Sequence, residues 1–252
     1  MTRRILVTRP NGQAGDLADQ LRHRGLAPVI VPTVRIEVAP AADLDAALAS
    51  LQGADWLLVT SANGAQALAG RLAAMNTAHM PDGLRVAAVG PATADALRVA
   101  GIRVDHVPDE YLTLAIADGL GDVAGRRIVV AQADAAAPDL RDALVARGAL
   151  VEEVLAYRTV EGPGESRDLL HAMLQQELAG VAFTSGSTVR GLTRLASPID
   201  RGRARTLPAF CIGPVTAVEA RKSGFHTAAV AAEHTAVGLA DAIAEHFAGD
   251  DQ

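Results

Sequence analysis

One register of self-similarity runs through the chain and limits what it can fold into. Asp16, Leu17, Asp19, Leu21, Arg24 and Gly25 recur 123 positions later as Asp139, Leu140, Asp142, Leu144, Arg147 and Gly148. Gly90, Pro91, Thr93, Ala94 and Gly101 recur as Gly213, Pro214, Thr216, Ala217 and Gly224, and Ile5 and Val7 as Ile128 and Val130. The phrase VTSANGAQAL at 59–68 is answered by FTSGSTVRGL at 183–192. A register kept over a whole chain marks two copies of one unit.

Within a copy, short apolar runs alternate with segments of helical spacing. In the first, ILVT, APVIVPTV, DWLLVT, RVAAVG and RVDHVP read as strands. DLADQLRHRG, LDAALASL, GAQALAGRLAAM and ATADALRVAG read as helices, the first stopped by Gly25. Strands that are apolar throughout and alternate with helices indicate a parallel sheet covered on both faces. The expected fold is α/β: two doubly wound parallel-sheet lobes, built as duplicated flavodoxin-like units of five strands each. TVRIEVAP (33–40) and YRTVEGPGE (157–165) carry Pro and Gly at equivalent places and read as a two-stranded crossing. The expected lobes are therefore residues 1–35 plus 160–252, discontinuous, and residues 39–156. Residues 36–38 and 157–159 form the interlobe crossings.

Composition removes several function classes. A net charge of −6 gives no basic stripe and argues against nucleic acid as a partner. No apolar run approaches the roughly 20 residues of a membrane helix. MTRRILVTRP has no apolar secretory core, so a cytoplasmic protein with no membrane partner is expected. The single cysteine, Cys211 in AFCIG, excludes an internal disulfide and reads as a buried strand residue. The seven histidines are scattered, without a metal-binding spacing, and no metal is expected. No phosphate loop, dinucleotide fingerprint or nucleophile elbow is present. Asp43 and Asp45 read as an ordinary first-turn preference of a helix.

What remains is concentrated after the strands, where open α/β sheets bind ligands. Thr60, Ser61, Ala62 and Asn63 follow DWLLV, and Gly90 and Thr93 follow RVAAV. Thr184, Ser185, Gly186 and Ser187, then Gly213 and Thr216, repeat the pattern, and Arg9 follows the first strand. Helix starts offer unpaired N–H groups and a positive dipole end, so four of them with hydroxyls alongside form an anion-binding surface. Plain helix capping, with Ser61 as an N-cap, accounts for the same residues about equally well. One position breaks the repeat. Tyr157 stands where the first copy has Val34, while its neighbour Arg158 still matches Arg35. A phenol there can donate a proton to a leaving group, or its ring can pack against the crossing.

Taken together, ILVTRP, DWLLVTSANGAQAL, VAAVGPATADAL, LVEEVLAYRTV, VAFTSGSTV and CIGPVTAVEARKSGF resemble the uroporphyrinogen-III synthase family, over essentially the whole chain. The resemblance implies two α/β lobes joined by a two-stranded crossing. It also implies a cofactor-free hydro-lyase of tetrapyrrole (haem) biosynthesis. Such an enzyme closes the linear tetrapyrrole hydroxymethylbilane with inversion of its last pyrrole ring, through an azafulvene and a spiro intermediate. By resemblance, Ser61, Thr93, Ser185 and Thr216 line the cleft that grips the substrate's carboxylates. The resemblance also implies that Tyr157 assists loss of the hydroxyl. A monomer is expected, with at most a transient contact to the upstream hydroxymethylbilane-producing enzyme. One departure stands out: where the family commonly has an Arg-Gly turn, this chain reads Ala131-Gln132-Ala133-Asp134-Ala135. Such a turn offers fewer carboxylate ligands, and Asp134 repels them. Two other readings stay open. One is a non-catalytic synthase-like module that binds a tetrapyrrole or other anion for regulation, and the other is an unrelated two-lobed small-molecule binder. The enzyme is preferred on the expectation that GDDQ closes the chain with no appended DNA-binding domain and that no secretory signal is present.

Overall fold

A computed structural model of the protein describes residues 2–75, 80–110, 113–134 and 136–249. In chain order the first elements are β1 (Arg4–Val7), α1 (Gly15–His23), β2 (Ala27–Ile30), β3 (Val34–Val38) and α2 (Ala41–Ser50). They are followed by β4 (Trp56–Val59), α3 (Ala62–Ala74), β5 (Arg85–Ala88), α4 (Pro91–Val99) and the short α5 (Ala115–Asp118). Next come β6 (Arg127–Ala133), α6 (Asp139–Ala146), β7 (Leu150–Glu161), α7 (Arg167–Leu174) and β8 (Gly180–Phe183). The chain closes with α8 (Gly186–Leu195), α9 (Pro198–Thr206), β9 (Ala209–Cys211), α10 (Pro214–Lys222), β10 (Thr227–Val230) and α11 (Ala236–Ala248). Gly25 and Gly148, equivalent in the repeat, both take left-handed backbone (φ 74° and 83°) just past α1 and α6. Only glycine adopts that conformation without steric cost.

Two compact units result, one of residues 1–35 and 160–252, the other of residues 36–159. The first holds a 5-stranded sheet in the order β10-β9-β8-β1-β2. Its strands pair in parallel throughout. Counted along the unit, this is the 2-1-3-4-5 order of flavodoxin-like sheets. The second holds the order β3-β7-β6-β4-β5, with β7, β6, β4 and β5 paired in parallel. Each sheet thus draws strands from both copies of the repeat.

Side-chain alternation along the strands explains why both sheets need helices on each face. In the first unit Leu6, Val181, Phe183 and Cys211 turn to one side and pack with Leu192 of α8 and Ala217 of α10. Ile5, Val7, Ala182 and Phe210 turn to the other and meet Leu17 of α1 and Ile243 of α11. In the second, Leu57, Val59, Val129 and Ala131 face α3 and α4 through Leu68 and Leu97. Trp56, Leu58, Ile128 and Val130 face α5 and α6 through Ile116 and Leu144. With aromatics so few, these cores are aliphatic.

Two strand expectations are corrected. APVIVPTV is not one strand: β2 ends at Ile30, and β3 begins only at Val34. Pro32 between them has no N–H for a ladder, and the Thr33 hydroxyl donates to the carbonyls of Thr8 (3.2 Å) and Thr188 (2.8 Å), fixing a turn. RVDHVP forms only an isolated parallel bridge between His106 and Ala87. There the Asp105 carboxylate accepts from the Val86 N–H at 2.9 Å, taking a donor that a longer ladder would use. The fifth place in the second sheet belongs to β3, at the opposite edge. Asp45 also departs from simple first-turn duty, binding Arg71 of α3 bidentately at 2.6 and 2.7 Å.

Gly191 allows α8 to lie against the Thr33 turn, because a Cβ at that position overlaps the Thr33 carbonyl. Gly70 in α3 has open space around it. Gly191→Ala is expected to cost about 1–3 kcal/mol by overpacking. Gly70→Ala is expected to gain roughly 0.5–1 kcal/mol from helix propensity. Urea denaturation of both variants checks the pair, and equal shifts in the same direction contradict the close approach.

Candidate functional site

Parallel pairing brings the carboxyl ends of neighbouring strands to one edge of a sheet. In the first unit, Arg9 follows β1, Thr184 and Ser185 follow β8, and Gly213 follows β9. In the second, Thr60 and Ser61 follow β4, and Gly90 follows β5. All four helix starts expected from the sequence are present at these edges.

The copies build them alike. Ser61 (φ −164°, ψ 156°) caps α3, its hydroxyl accepting from the Gly64 N–H at 3.1 Å. Ser185 (φ −166°, ψ 162°) caps α8, accepting from the Thr188 N–H at 3.3 Å. The Thr188 hydroxyl returns the bond by accepting from the Ser185 N–H at 3.4 Å, which completes a capping box. Gly90 and Gly213 are extended N-caps (φ −174° and −170°) with no side-chain cap, each followed by a proline at the first turn. Without a capping side chain, the first-turn N–H groups after Pro91 and Pro214 are left to solvent or a ligand.

The side chains divide into those that serve the fold and those that do not. The Thr60 hydroxyl donates to the Ala131 carbonyl at 3.3 Å, tying β4 to β6. Ser185 and Ser187 share a hydroxyl hydrogen bond at 2.8 Å. Thr93 and Thr216 are buried, 3% and 5% exposed. Those two positions open their helices with hydroxyls that are largely covered. Ala62 and Asn63 open α3, and Gly186 opens α8. Over Gly186 lies Arg190, whose guanidinium also pairs with Glu161 at 2.7 Å and Glu219 at 3.6 Å. Sequence reasoning missed this arginine, which is one helical turn beyond the cap.

Arg9 differs from most arginines of the chain. Burial pulls its pKa below the ordinary value, with the charge of Asp16 opposing the shift. No carboxylate lies within ion-pair distance of it among the described residues. A partly desolvated cation without a partner is an energetic cost that a bound carboxylate relieves.

Tyr157 is 8% exposed and belongs to the core of the second unit. A register shift between Gln132 and Ala133 sets it opposite Ala133, and the Asp134 N–H donates to its carbonyl at 3.2 Å. It lines a cavity of about 290 Å³, together with Thr60, Gln132, Ala133, Asp139 and Leu140. The phenol has no hydrogen-bond partner among the described residues. Asp134 accepts from the Thr159 N–H at 3.4 Å, so its carboxylate has a structural partner beside the cavity. Ala135 lies outside the described residues. Thr113 and Leu114, also in the wall, carried no sequence signal.

Elsewhere, Cys211 is buried and its thiol is pushed up to about 11 by desolvation, which leaves it protonated at neutral pH. Among the described residues no group of three or more His, Cys, Asp or Glu is placed to hold a metal. No described helix is long and apolar enough to cross a membrane.

A family model described as uroporphyrinogen-III synthase HemD matches residues 15–241. The chain belongs to the uroporphyrinogen-III synthase family. It is 31% identical over 248 residues to the uroporphyrinogen-III synthase of Synechococcus elongatus, covering 95% of this chain and 93% of that one. It is 29% identical over 225 residues to the porphyrin biosynthesis protein HemD of Ruminiclostridium josui, covering 87% of this chain but 44% of that protein. A mutant uroporphyrinogen III synthase from Thermus thermophilus superposes with a TM-score of 0.69 at 21% identity, covering 98% of this chain and 100% of that one. The uroporphyrinogen-III synthetase of Helicobacter pylori gives 0.64 at 14% identity, with both chains covered in full. At such identities these structures share the fold.

The two serine caps carry a stability test. Ser61→Ala and Ser185→Ala are each expected to cost about 1 kcal/mol, the second more because its reciprocal bond is lost too. Chemical denaturation reads this directly, and an unshifted midpoint for either variant shows that the hydroxyl does not hold its helix.

Proposed function

We propose that this protein is a uroporphyrinogen-III synthase that cyclises hydroxymethylbilane with loss of water and inversion of the last pyrrole ring. Membership of the family across residues 15–241 carries the reading. The carboxyl-edge helix starts, and a Tyr157 phenol with no hydrogen-bond partner among the described residues, fit the chemistry it requires.

The steps follow from that chemistry. The C–O bond of the hydroxymethyl group breaks as the nitrogen lone pair of its pyrrole pushes into the ring. The departing hydroxide takes a proton, which we assign to the Tyr157 phenol, and leaves as water. The resulting azafulvene cation is attacked by the substituted carbon of the last ring, giving a spiro centre. That centre opens and recloses the other way round, and a proton is lost as the macrocycle becomes aromatic in each pyrrole. Electrons and atoms balance with one water released, so the reaction calls for positioning and proton transfer rather than redox chemistry.

The substrate carries eight carboxylates, and backbone N–H groups at helix starts suit them. We assign this role to the starts at Thr60, Ser61, Ala62 and Asn63, at Gly90 and Thr93, at Thr184, Ser185, Gly186 and Ser187, and at Gly213 and Thr216. Arg9 adds a formal charge. The reading includes two lobes, 1–35 with 160–252 and 39–156, linked through 36–38 and 157–159. It also includes a cytoplasmic monomer that meets its supplier enzyme at most transiently.

Two measurements test this. With enzymatically generated hydroxymethylbilane, the protein is expected to yield the inverted type III isomer. Type I alone, as forms without enzyme, ends the reading. Tyr157→Phe is expected to lower kcat by about 10²–10⁴ with a smaller effect on KM, the range for a lost general acid. A wild-type rate assigns the ring to packing.

A further inference from the structure

The two copies differ in charge at one equivalent position of the repeat. The 123-residue offset that aligns Ile128 with Ile5 aligns Gln132 with Arg9. Each stands at the carboxyl end of an interior strand of its own sheet, β1 between β8 and β2, β6 between β4 and β7. Arg9 is a partly buried cation on which Asp16 acts through space, with no carboxylate in ion-pair contact among the described residues. Gln132 is neutral, and its amide donates to the Glu153 carboxylate at 2.7 Å. The cavity that Gln132 lines has apolar and acidic walls, with Ala133, Ala137, Leu140 and Asp139 beside Thr60 and Tyr157. No Lys or Arg is among its described lining residues.

These two environments suit opposite charges. A partly desolvated guanidinium with no carboxylate in contact attracts carboxylates, whereas a cavity without cations tolerates positive charge that develops inside it. At about 290 Å³ the cavity lies at the small end of ligand sites, the size for one ring rather than a whole tetrapyrrole. Breaking the C–O bond of the hydroxymethyl group puts positive charge on a single pyrrole. A guanidinium where Gln132 stands would oppose that charge at short range.

We propose that the copies have divided the work: the Arg9 edge grips carboxylates, and the Tyr157 cavity, kept free of cations by Gln132, receives the hydroxymethyl-bearing pyrrole as its charge builds. This rests on the synthase reading above and names which unit takes which part of the substrate. Gln132 acts here as a specificity-determining residue, through its neutrality.

Exchanging the two side chains tests the division. Arg9→Gln removes a charge-assisted contact made equally to substrate and transition state, so KM rises about tenfold or more and kcat changes little. Gln132→Arg opposes only the developing cation, so kcat falls about tenfold to a hundredfold while KM is not raised. The type I isomer then increases as uncatalysed closure overtakes the slowed enzyme. Gln132→Met removes the amide without adding charge and separates shape from charge. It is expected to lose much less kcat than Gln132→Arg. Three outcomes overturn the proposal: a wild-type kcat for Gln132→Arg, an equal loss for Gln132→Met, or a loss in Arg9→Gln that falls on kcat alone. Wild-type protein that makes only type I isomer instead ends the synthase reading, before any variant is compared.

Discussion

Both faces of each sheet are buried, and the rest of the structure depends on that constraint. A strand such as β4, Trp56–Val59, is covered on both sides, so helices must pack against each face. Parallel strands then follow, because each must be reached by a crossover helix. Parallel strands in turn put the helix starts at one edge. The row of helix-start N–H groups at that edge is therefore a consequence of how the core is buried. It needs no basic sequence, which is how a chain of net charge −6 can present it.

The same physics accounts for the way the duplicated chain is shared between sheets. In the second copy, β7 runs unbroken from Leu150 to Glu161. In the first copy the corresponding stretch is split into β2 and β3, and Pro32 occupies the place that Leu155 holds in β7. A proline cannot donate to a ladder, so the first-copy strand ends where the second-copy strand continues. β3 neighbours β7 in the second sheet, while β2 pairs with β1 in the first. One residue's missing N–H thus marks where the chain leaves one sheet and enters the other.

What the sequence made legible was what local chemistry decides. Ser61 and Ser185 read as caps because an N-cap bond closes within three residues, and both bonds are present. Parallel sheets were legible because continuous apolar runs carry that signal without tertiary detail. What tertiary packing decides was not legible. RVDHVP has strand-like alternation, but Asp105 spends its carboxylate on Val86, a contact no periodicity reveals. The burial of Thr93 and Thr216 depends on how α4 and α10 rotate against their sheets. Arg190 reaches Gly186 only once α8 is wound, and Thr113 and Leu114 join the cavity wall from distant sequence.

The duplication also separates what the fold must keep from what it is free to vary. The caps at Ser61 and Ser185 share backbone angles to within a few degrees, as do those at Gly90 and Gly213. Side chains at other equivalent positions diverge instead: Arg9 against Gln132, and Val34 against Tyr157. Backbone donors depend on conformation alone, so they survive wholesale replacement of side chains, and relatives at 21% and 14% identity keep the fold. Charge and proton donors depend on side-chain identity, and a second copy lets one position change while its equivalent does not. A symmetric scaffold of helix starts is indifferent to which part of an anionic ligand it holds. On the synthase reading proposed above, direction along the ligand comes from the residues that break the symmetry, which in this chain are Arg9, Gln132 and Tyr157.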